Sequence, residues 1–315
     1  MPSRRTLILI ITLLLIADIV AILWYLSLRA EISGESRDFW DTPSEEITTM
    51  ADTVSLRSAP DTFNIIRQSA YFASDKPAIP NDQNSYYTCH RHLALRWPTS
   101  INGSPSPEKL QRALIRFLTN SATGQLEVAI TEWLNQPRFT TNTDFPFHKS
   151  VAAPHVIAGY AYTENIIIYP LLTSQRLLVM EIDHNTNNGE TNHQSSAYVH
   201  YDRLKHQLLN PTDILDQHKE NTLITLINNK ISELNKQHRT PALEQTSRAP
   251  ANICCRRTGI IFQFAAGDIA GISEGPIEIL VPYTQLKPLL TSSFKQLLQD
   301  NDGWWEYKRL QLIEQ

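Results

Sequence analysis

The hydrophobic positions between residues 62 and 298 follow two periods, one typical of strands and one typical of helices. From Tyr86 to Trp97 apolar and polar side chains alternate, which predicts a strand with one buried face. Ser106-Pro107-Glu108 then begins a helix, with serine as the cap and proline at the first helical position. Apolar residues spaced three and four apart continue this helix to Leu118 and predict another from Leu126 to Leu134.

Several further strands are separated by short polar connections. The run Asn-Thr-Asn-Asn-Gly that ends at Gly189 is a strong turn signal between two of them. Strands joined this closely pair as antiparallel hairpins. The predicted strands are Thr62–Phe72, Val151–Tyr162, Asn165–Leu172, Arg176–His184 and His193–Asp202.

The last third of the chain adds helices and one more strand pair. Leu223 to Leu234 has helical spacing, and a polar connection, residues 235–252, follows it. Two runs rich in Ile, Val and Phe then flank a loop with three glycines, and Pro282 ends the second run. From Leu286 to Leu298 an apolar stripe predicts a continuous helix. The predicted fold class is therefore α+β, with antiparallel sheets and packed helices.

An almost wholly apolar segment, Thr6 to Leu28, precedes this region. As a helix it is about 35 Å long, which is enough to cross a hydrocarbon core of about 30 Å. Two arginines before it favour a cytoplasmic N-terminus, and Trp24 lies where an aromatic belt is expected. We expect an uncleaved single-pass anchor; the alternative is a signal peptide cut after Ala30. Asp18, inside the segment, is a candidate contact with a membrane partner.

These segments divide the chain into five predicted parts. They are a cytoplasmic tip (1–5), a transmembrane anchor (6–28), a polar stalk (29–60), an extracytoplasmic α+β domain (61–300) and an aromatic C-terminal tail (301–315).

Composition excludes some classes of function. A net charge of −4 gives no electrostatic case for nucleic-acid binding. The three cysteines are too few for a disulfide scaffold. Outside the cytoplasm, however, Cys89 could bridge to Cys254 or to Cys255.

Two groups of residues raise the question of catalysis or metal binding. Gly271-Ile-Ser273-Glu-Gly275 fits the serine-hydrolase pattern, but it leads into a predicted strand instead of a helix, so we expect an ordinary loop serine. His90 and His92 share one face of a strand and could chelate a metal. No His-Glu-x-x-His helix is present, and we predict no catalytic site, cofactor or metal.

The strand pair near the C-terminus resembles a known family. A strand with two aromatic residues leads to Gly-x-Ile-x-Val-x-Pro-Tyr-x-x-Leu-x-x-Leu-Leu in the RsiV-like C-terminal domain, which RsiV-type anti-sigma factors share with PdaC-type peptidoglycan deacetylases. The matching residues are Phe262, Phe264, Gly275, Ile277, Ile279, Val281, Pro282, Tyr283, Leu286, Leu289 and Leu290.

The resemblance implies an address and a candidate ligand site. Family members lie outside the cytoplasmic membrane, so we expect the domain in the periplasm. The family's turn between paired strands corresponds to the segment that includes Asn188 and His193. We therefore expect ligand contacts at His184, Asn188 and His193, and at Tyr283 in the motif.

The functional expectation is a non-catalytic, membrane-anchored sensor or binding domain of the bacterial envelope. Its ligand would be a glycan, a peptidoglycan fragment or a wall-associated protein. Only five residues precede the apolar segment, too few to bind a sigma factor, so an anti-sigma role is disfavoured. The alternatives are an envelope scaffold subunit and a wall-modifying enzyme.

Overall fold

The computed structural model describes residues 61–77, 86–119, 124–135, 147–150, 161–187, 192–237, 242–301 and 303–307. Every described residue lies within one compact unit, Ser58–Gln315. The predicted anchor with Asp18, the stalk and Asn188 lie outside the described residues. Among the residues that are described, no helix is both long and apolar enough to span a membrane.

Strands and helices in the described ranges confirm a mixed α+β fold. The strands are β1 (Thr62–Pro77), β2 (Tyr86–Ile101), β3 (Ser104–Pro105), β4 (Phe147–Ser150), β5 (Ala161–Thr173), β6 (Leu177–Asn187), β7 (Asn192–Asp202), β8 (Gln207–Leu209), β9 (Ile253–Cys255), β10 (Gly259–Phe264), β11 (Ile277–Pro282) and β12 (Trp305–Glu306). The α-helices are α1 (Glu108–Ile115), α2 (Leu126–Asn135), α3 (Pro211–Ile214), α4 (Glu220–Lys236), α5 (Tyr283–Leu286) and α6 (Ser292–Gln299).

The main sheet has the strand order β4-β1-β2-β5-β6-β7-β8, with β3 paired to β2 and β12 paired to β5. The pairs β5–β6 and β6–β7 are antiparallel, as the short connections predict. In contrast, β2 and β5 are parallel, and the chain between them contains both α1 and α2. A parallel pair needs such a long crossover connection.

Each face of the main sheet carries its own hydrophobic core. On one face, Leu93 and Leu95 of β2 pack with Leu110 of α1 and Trp133 of α2. On the other face, the core joins the sheet to α4, α5, α6 and the small sheet β11-β10-β9. Side chains alternate along a strand, so one strand serves both cores.

The three cysteines are buried free thiols in this fold. Cys89 belongs to the core with α1 and α2, whereas Cys254 and Cys255 belong to the core on the other face. The predicted bridge from Cys89 to Cys254 or Cys255 is therefore not formed, because the main sheet lies between the two cores.

The small sheet requires glycine where β10 begins. A Cβ atom on Gly259 would lie 2.2 Å from the backbone oxygen of Val281 in β11. Such a contact is far inside van der Waals distance, so a side chain at this position would push the two strands apart.

Three local predictions need correction. The predicted helix Leu286–Leu298 is broken into α5, a 3-10 turn (Lys287–Leu289) that contains Pro288, and α6. Leu290 and Thr291 are extended, and the Thr291 side chain caps α6. The cap of α1 is Pro107, not Ser106, and it makes no side-chain capping bond. One continuous strand, β5, runs through the predicted break between Tyr162 and Asn165.

Candidate functional site

A groove lies between the main sheet and the small sheet, and we call it the intersheet groove. Its larger, polar end has a volume of about 520 Å³ and its smaller, acidic end about 180 Å³. The two ends share Gln194, Ser196, Gln263 and Pro276, so they form one continuous depression. Concave surfaces of this size are the usual place for ligands.

The acidic end of the groove is formed by side chains that alternate along neighbouring strands of the main sheet. Glu181 and Asp183 are two residues apart on β6, so both side chains point to the face that carries the small sheet. Tyr169 of β5 lies opposite Glu181, and its hydroxyl donates a 2.6 Å hydrogen bond to Glu181 Oε2. Ser196 of β7 lies opposite Asp183 and donates a 2.8 Å bond to Asp183 Oδ1.

The Glu181 carboxyl titrates far from its ordinary range. Burial and the charge of Asp183 raise its pKa to about 7, against the opposing effects of the Tyr169 hydrogen bond and the charge of Arg256. Glu181 is 8% exposed and Asp183 is 4% exposed. A buried carboxyl that is half protonated near neutral pH, inside a groove, is a recognised sign of a functional site.

The raised pKa of Glu181 predicts a pH dependence of stability. The folded value, about 7, lies above the ordinary value of 4.5. The stabilising contribution is therefore complete below pH 4.5 and is lost as the pH rises through 7. Glu181→Gln should be more stable than the wild type at pH 8 by on the order of 2–3 kcal/mol, and no more stable at pH 4. Urea unfolding of both proteins at pH 4 and pH 8 measures the difference in stability. The same difference at both pH values would contradict the prediction.

Hydrogen bonds hold the small sheet against the main sheet around the groove. Asn252 donates from Nδ2 to the Ser196 carbonyl oxygen at 2.6 Å and also to Gln263 Oε1. The Tyr198 hydroxyl donates to Glu278 Oε1 at 3.3 Å, and Gln263 donates to the same oxygen at 3.2 Å. These amides and hydroxyls fix the width of the groove.

A neutral histidine makes a further bond between the two sheets. The Cys255 backbone N–H donates to His200 Nε2 at 3.1 Å. Burial lowers the pKa of His200 to about 4, so the ring stays neutral and Nε2 can accept this bond at neutral pH.

The outer wall of the polar end is a loop held by α4. The side chain of Asn228 donates to the Thr246 carbonyl oxygen at 2.9 Å and accepts from the Thr246 N–H at 2.8 Å. Asn235 makes the same two bonds with Leu243, both at 2.8 Å. Asn228 and Asn235 on α4 each bond both the N–H and the carbonyl oxygen of a loop residue, as a neighbouring strand would. They thus fix the loop that begins at residue 242.

A second polar cluster lies on the opposite face of the main sheet. The Arg91 side chain is fully buried, its Nη2 lies 2.5 Å from Glu164 Oε2, and its guanidinium stacks on the Trp133 ring at 3.9 Å. His184 Nε2 lies 3.0 Å from the other Glu164 oxygen. Burial favours the neutral form of Glu164, but His184 and Arg91 outweigh it, and the pKa of Glu164 is lowered.

Three of the predicted ligand residues, His184, His193 and Tyr283, fall in the described ranges, and none of the three lines the intersheet groove. His184 belongs to the Arg91 cluster, and the exposed His193 pairs with Thr186 on that same face. Tyr283 packs against Phe294 in the core, with ring centroids 6.5 Å apart. The acid pair of β6 was missed, although the spacing Glu-x-Asp within a predicted strand already places two carboxylates on one face.

The candidate catalytic and metal residues lie as follows. Ser273 sits in an exposed 3-10 turn (Ile272–Glu274) before β11, with no strand-to-helix elbow. His90 and His92 share a face of β2, with ring centroids 6.4 Å apart. Within the described ranges, no group of three or more His, Cys, Asp or Glu residues is arranged to hold a metal ion.

Comparison with solved structures identifies relatives of the fold. No protein-family model and no curated protein matches the chain. A DUF3298-family protein from Bacteroides fragilis aligns with a TM-score of 0.53 and 17% identity, over 76% of this chain and 100% of that one. A DUF3298-family protein from Pseudomonas aeruginosa aligns with a TM-score of 0.51 and 12% identity, over 75% and 97%. At these identities the likeness shows a shared fold and nothing about activity.

Proposed function

We propose that this chain is a binding domain of the bacterial envelope, held at the membrane by its N-terminal segment, and that the intersheet groove takes a polar ligand such as a wall glycan. The observation that supports this most strongly is the composition of the groove. Its walls present serine, threonine, asparagine and glutamine side chains. The smaller end adds the carboxyls of Glu181, Asp183 and Glu278, and the larger end adds the ion pair of Arg248 and Asp268. The hydroxyl and amide side chains hydrogen-bond hydroxyls and amides in both directions.

The groove is also held rigidly, which favours recognition. Its walls are joined through Asn252, Tyr198 and His200, and its loop is fixed by Asn228 and Asn235. A site that is already formed in the free protein loses less conformational entropy when a ligand binds.

The proposed location in the bacterial envelope rests on the sequence. The apolar segment Thr6–Leu28, the arginines before it and the resemblance to the RsiV-like domain all favour a periplasmic domain on a single-pass anchor. We also propose that the domain is a member of the RsiV-like family. An alkaline phosphatase fusion after Gln315 should be active in cells; an inactive phosphatase fusion together with a fluorescent cytosolic one would reject the address.

Blocking the groove tests the ligand site. Ala266 is exposed and lines the polar end, so Ala266→Trp fills the groove without disturbing a core. The full chain in detergent should bind soluble glycan strands of peptidoglycan saturably in calorimetry, and Ala266→Trp should weaken binding about tenfold or more.

The matched control is Leu204→Trp, which places the same ring at an exposed apolar position outside the groove. It should leave the affinity unchanged. Equal losses in both variants, or no binding of glycan strands to the wild type, would contradict the proposal.

A catalytic role is the second candidate, and the raised pKa of Glu181 beside Asp183 is the observation that favours it. A protonated carboxyl next to an ionised one is the arrangement that glycan hydrolysis uses. Mass spectrometry of the glycan strands after incubation separates the two candidates. Unchanged strands support binding alone, whereas shortened strands that disappear with Glu181→Gln support an enzyme.

A further inference from the structure

A row of neutral polar side chains crosses five strands of the main sheet and ends in the intersheet groove. Antiparallel and parallel registers place Ser69, His92, Asn165, Asn185 and Gln194 opposite one another on β1, β2, β5, β6 and β7. Residues opposite one another in register point to the same face. We call these five residues the polar row; Gln194, its last member, lines both ends of the groove.

The row lies on the groove side of the sheet. The next residues along the same strands and face are Ala94, Ile167, Asp183 and Ser196, which belong either to the core with the small sheet or to the groove. Ser69 and Gln194 are exposed, while His92, Asn165 and Asn185 are half-buried. The row therefore leads from Gln194 in the groove across the sheet toward β1, where the Ser69 hydroxyl and His92 Nδ1 are hydrogen-bonded at 3.0 Å.

Several polar atoms along this surface lack partners. Asn165 Oδ1 and His90 Nε2 are buried and make no hydrogen bond within the described part of the chain. Thr88 Oγ1, on the same face of β2, is also buried without a hydrogen bond within the described part of the chain. Buried polar atoms in native proteins are nearly always hydrogen-bonded, so these atoms call for water or a ligand.

The five side chains of the polar row carry no charge; charged residues follow two positions along the same face, Arg67 on β1 and Asp183 on β6. Burial lowers the pKa of His92, and burial together with His92 lowers that of His90, so both rings are neutral at pH 7. Tyr71 packs edge-to-face on His90 with centroids 5.1 Å apart, which adds a flat aromatic surface beside the row. Amide, hydroxyl and imidazole groups with no carboxylate or guanidinium suit an uncharged ligand that has hydroxyls and amides.

We propose that the polar row is an extended subsite for a neutral chain of N-acetylated sugars, which enters from the intersheet groove and lies across the strands. With strands about 4.8 Å apart, the row is about 19 Å long and holds several sugar units. This inference rests on the proposed function, because the groove is the point of entry.

Ligand length provides the test. The full chain in detergent is titrated by calorimetry with the dimer and the hexamer of β-1,4-linked N-acetylglucosamine. The dimer fits the groove alone, so the hexamer should bind about tenfold more tightly or better, through a few additional hydrogen bonds. In His92→Ala and Asn185→Ala the advantage of the hexamer should disappear, while the affinity for the dimer stays unchanged.

Thr186→Ala is the matched control, because Thr186 is the neighbour of Asn185 on β6 and points to the opposite face. It should keep the advantage of the hexamer. In the wild type, the side-chain amide signals of Asn165 and Asn185 should shift in NMR spectra with the hexamer and not with the dimer, which tests the row without any substitution.

The outcomes separate this inference from the proposed function. If the wild type binds the dimer and the hexamer with equal affinity and Ala266→Trp weakens binding of both, the polar row is not a subsite. The groove then remains the ligand site. If Thr186→Ala also removes the tighter binding of the hexamer, the polar row is likewise rejected as a subsite. If neither sugar binds, both proposals fall for this class of ligand.

Discussion

Glu164→Gln is expected to lower the free energy of unfolding by about 3–5 kcal/mol. The substitution keeps the shape of the side chain and removes its charge. Arg91 is fully buried, and the substitution would leave its guanidinium next to Trp133 without the carboxylate 2.5 Å away. Removing the counter-ion of a buried charge is among the most costly defects that a single substitution makes. Urea denaturation of the full chain at pH 7 measures the loss.

An exposed ion pair provides the control for this prediction. Glu108 and Arg112 form an (i, i+4) pair on α1, with side chains 71% and 62% exposed. Glu108→Gln should therefore change the stability by less than about 0.5 kcal/mol. The double substitution Arg91→Met, Glu164→Leu should recover much of the loss, because it removes both buried charges. A loss below about 1 kcal/mol in Glu164→Gln would show that the buried pair is not formed.

Phe262→Ala is expected to destabilise the domain by about 3–5 kcal/mol. Phe262 is fully buried in the centre of β10, and it pairs with Ile253 on one side and Ile279 on the other. Its ring joins the core that holds α4 to the small sheet. Truncation leaves a cavity there, since neighbouring strands cannot close around it. Chemical unfolding measures the change.

The small sheet is also one wall of the groove, so Phe262→Ala should weaken glycan binding as well as stability. Ile272→Ala is the control, because Ile272 is 72% exposed on the adjoining loop. It should change the stability by less than about 0.5 kcal/mol. Similar losses for the two residues would mean that the small sheet does not pack as described.

Long periodic segments made most elements predictable from the sequence. The alternation in β2 and the helical spacing in α1, α2 and α4 reflect which side chains are buried, and burial was confirmed there. The hairpins of β5, β6 and β7 followed from their short connections. Periodicity reports one buried face. The three helices each have one, and in β2 the face with Leu93 and Leu95 dominates although Ala94 enters the other core.

The arrangement of the strands could not be predicted in the same way. The parallel pairing of β2 with β5 brings together residues about 70 positions apart, and no local signal encodes it. The two-sided burial of β5 hides its alternation, because both of its faces enter a core. Pro288 is a local signal against one continuous helix in this segment, and the apolar stripe alone does not show it.

The candidate site depended most on tertiary structure. The carboxyls of Glu181 and Asp183 are unremarkable in the sequence, and only the small sheet packed above them makes a groove and raises the pKa of Glu181. His184 drew attention because it flanks a turn, yet its partner is Glu164 on the other face. Turn residues can be recognised from the sequence. Two acidic residues on one face of a strand indicate a site only when it is known which element packs over that face.

Hydrogen–deuterium exchange of the full chain with soluble glycan strands of peptidoglycan tests the central claim most directly. We expect slower exchange in residues 194–198 and 245–252, which lie in the two walls of the intersheet groove, and intact glycan strands afterwards. Protection confined to the face of Arg91 and His184, or no protection at saturating glycan, would contradict it.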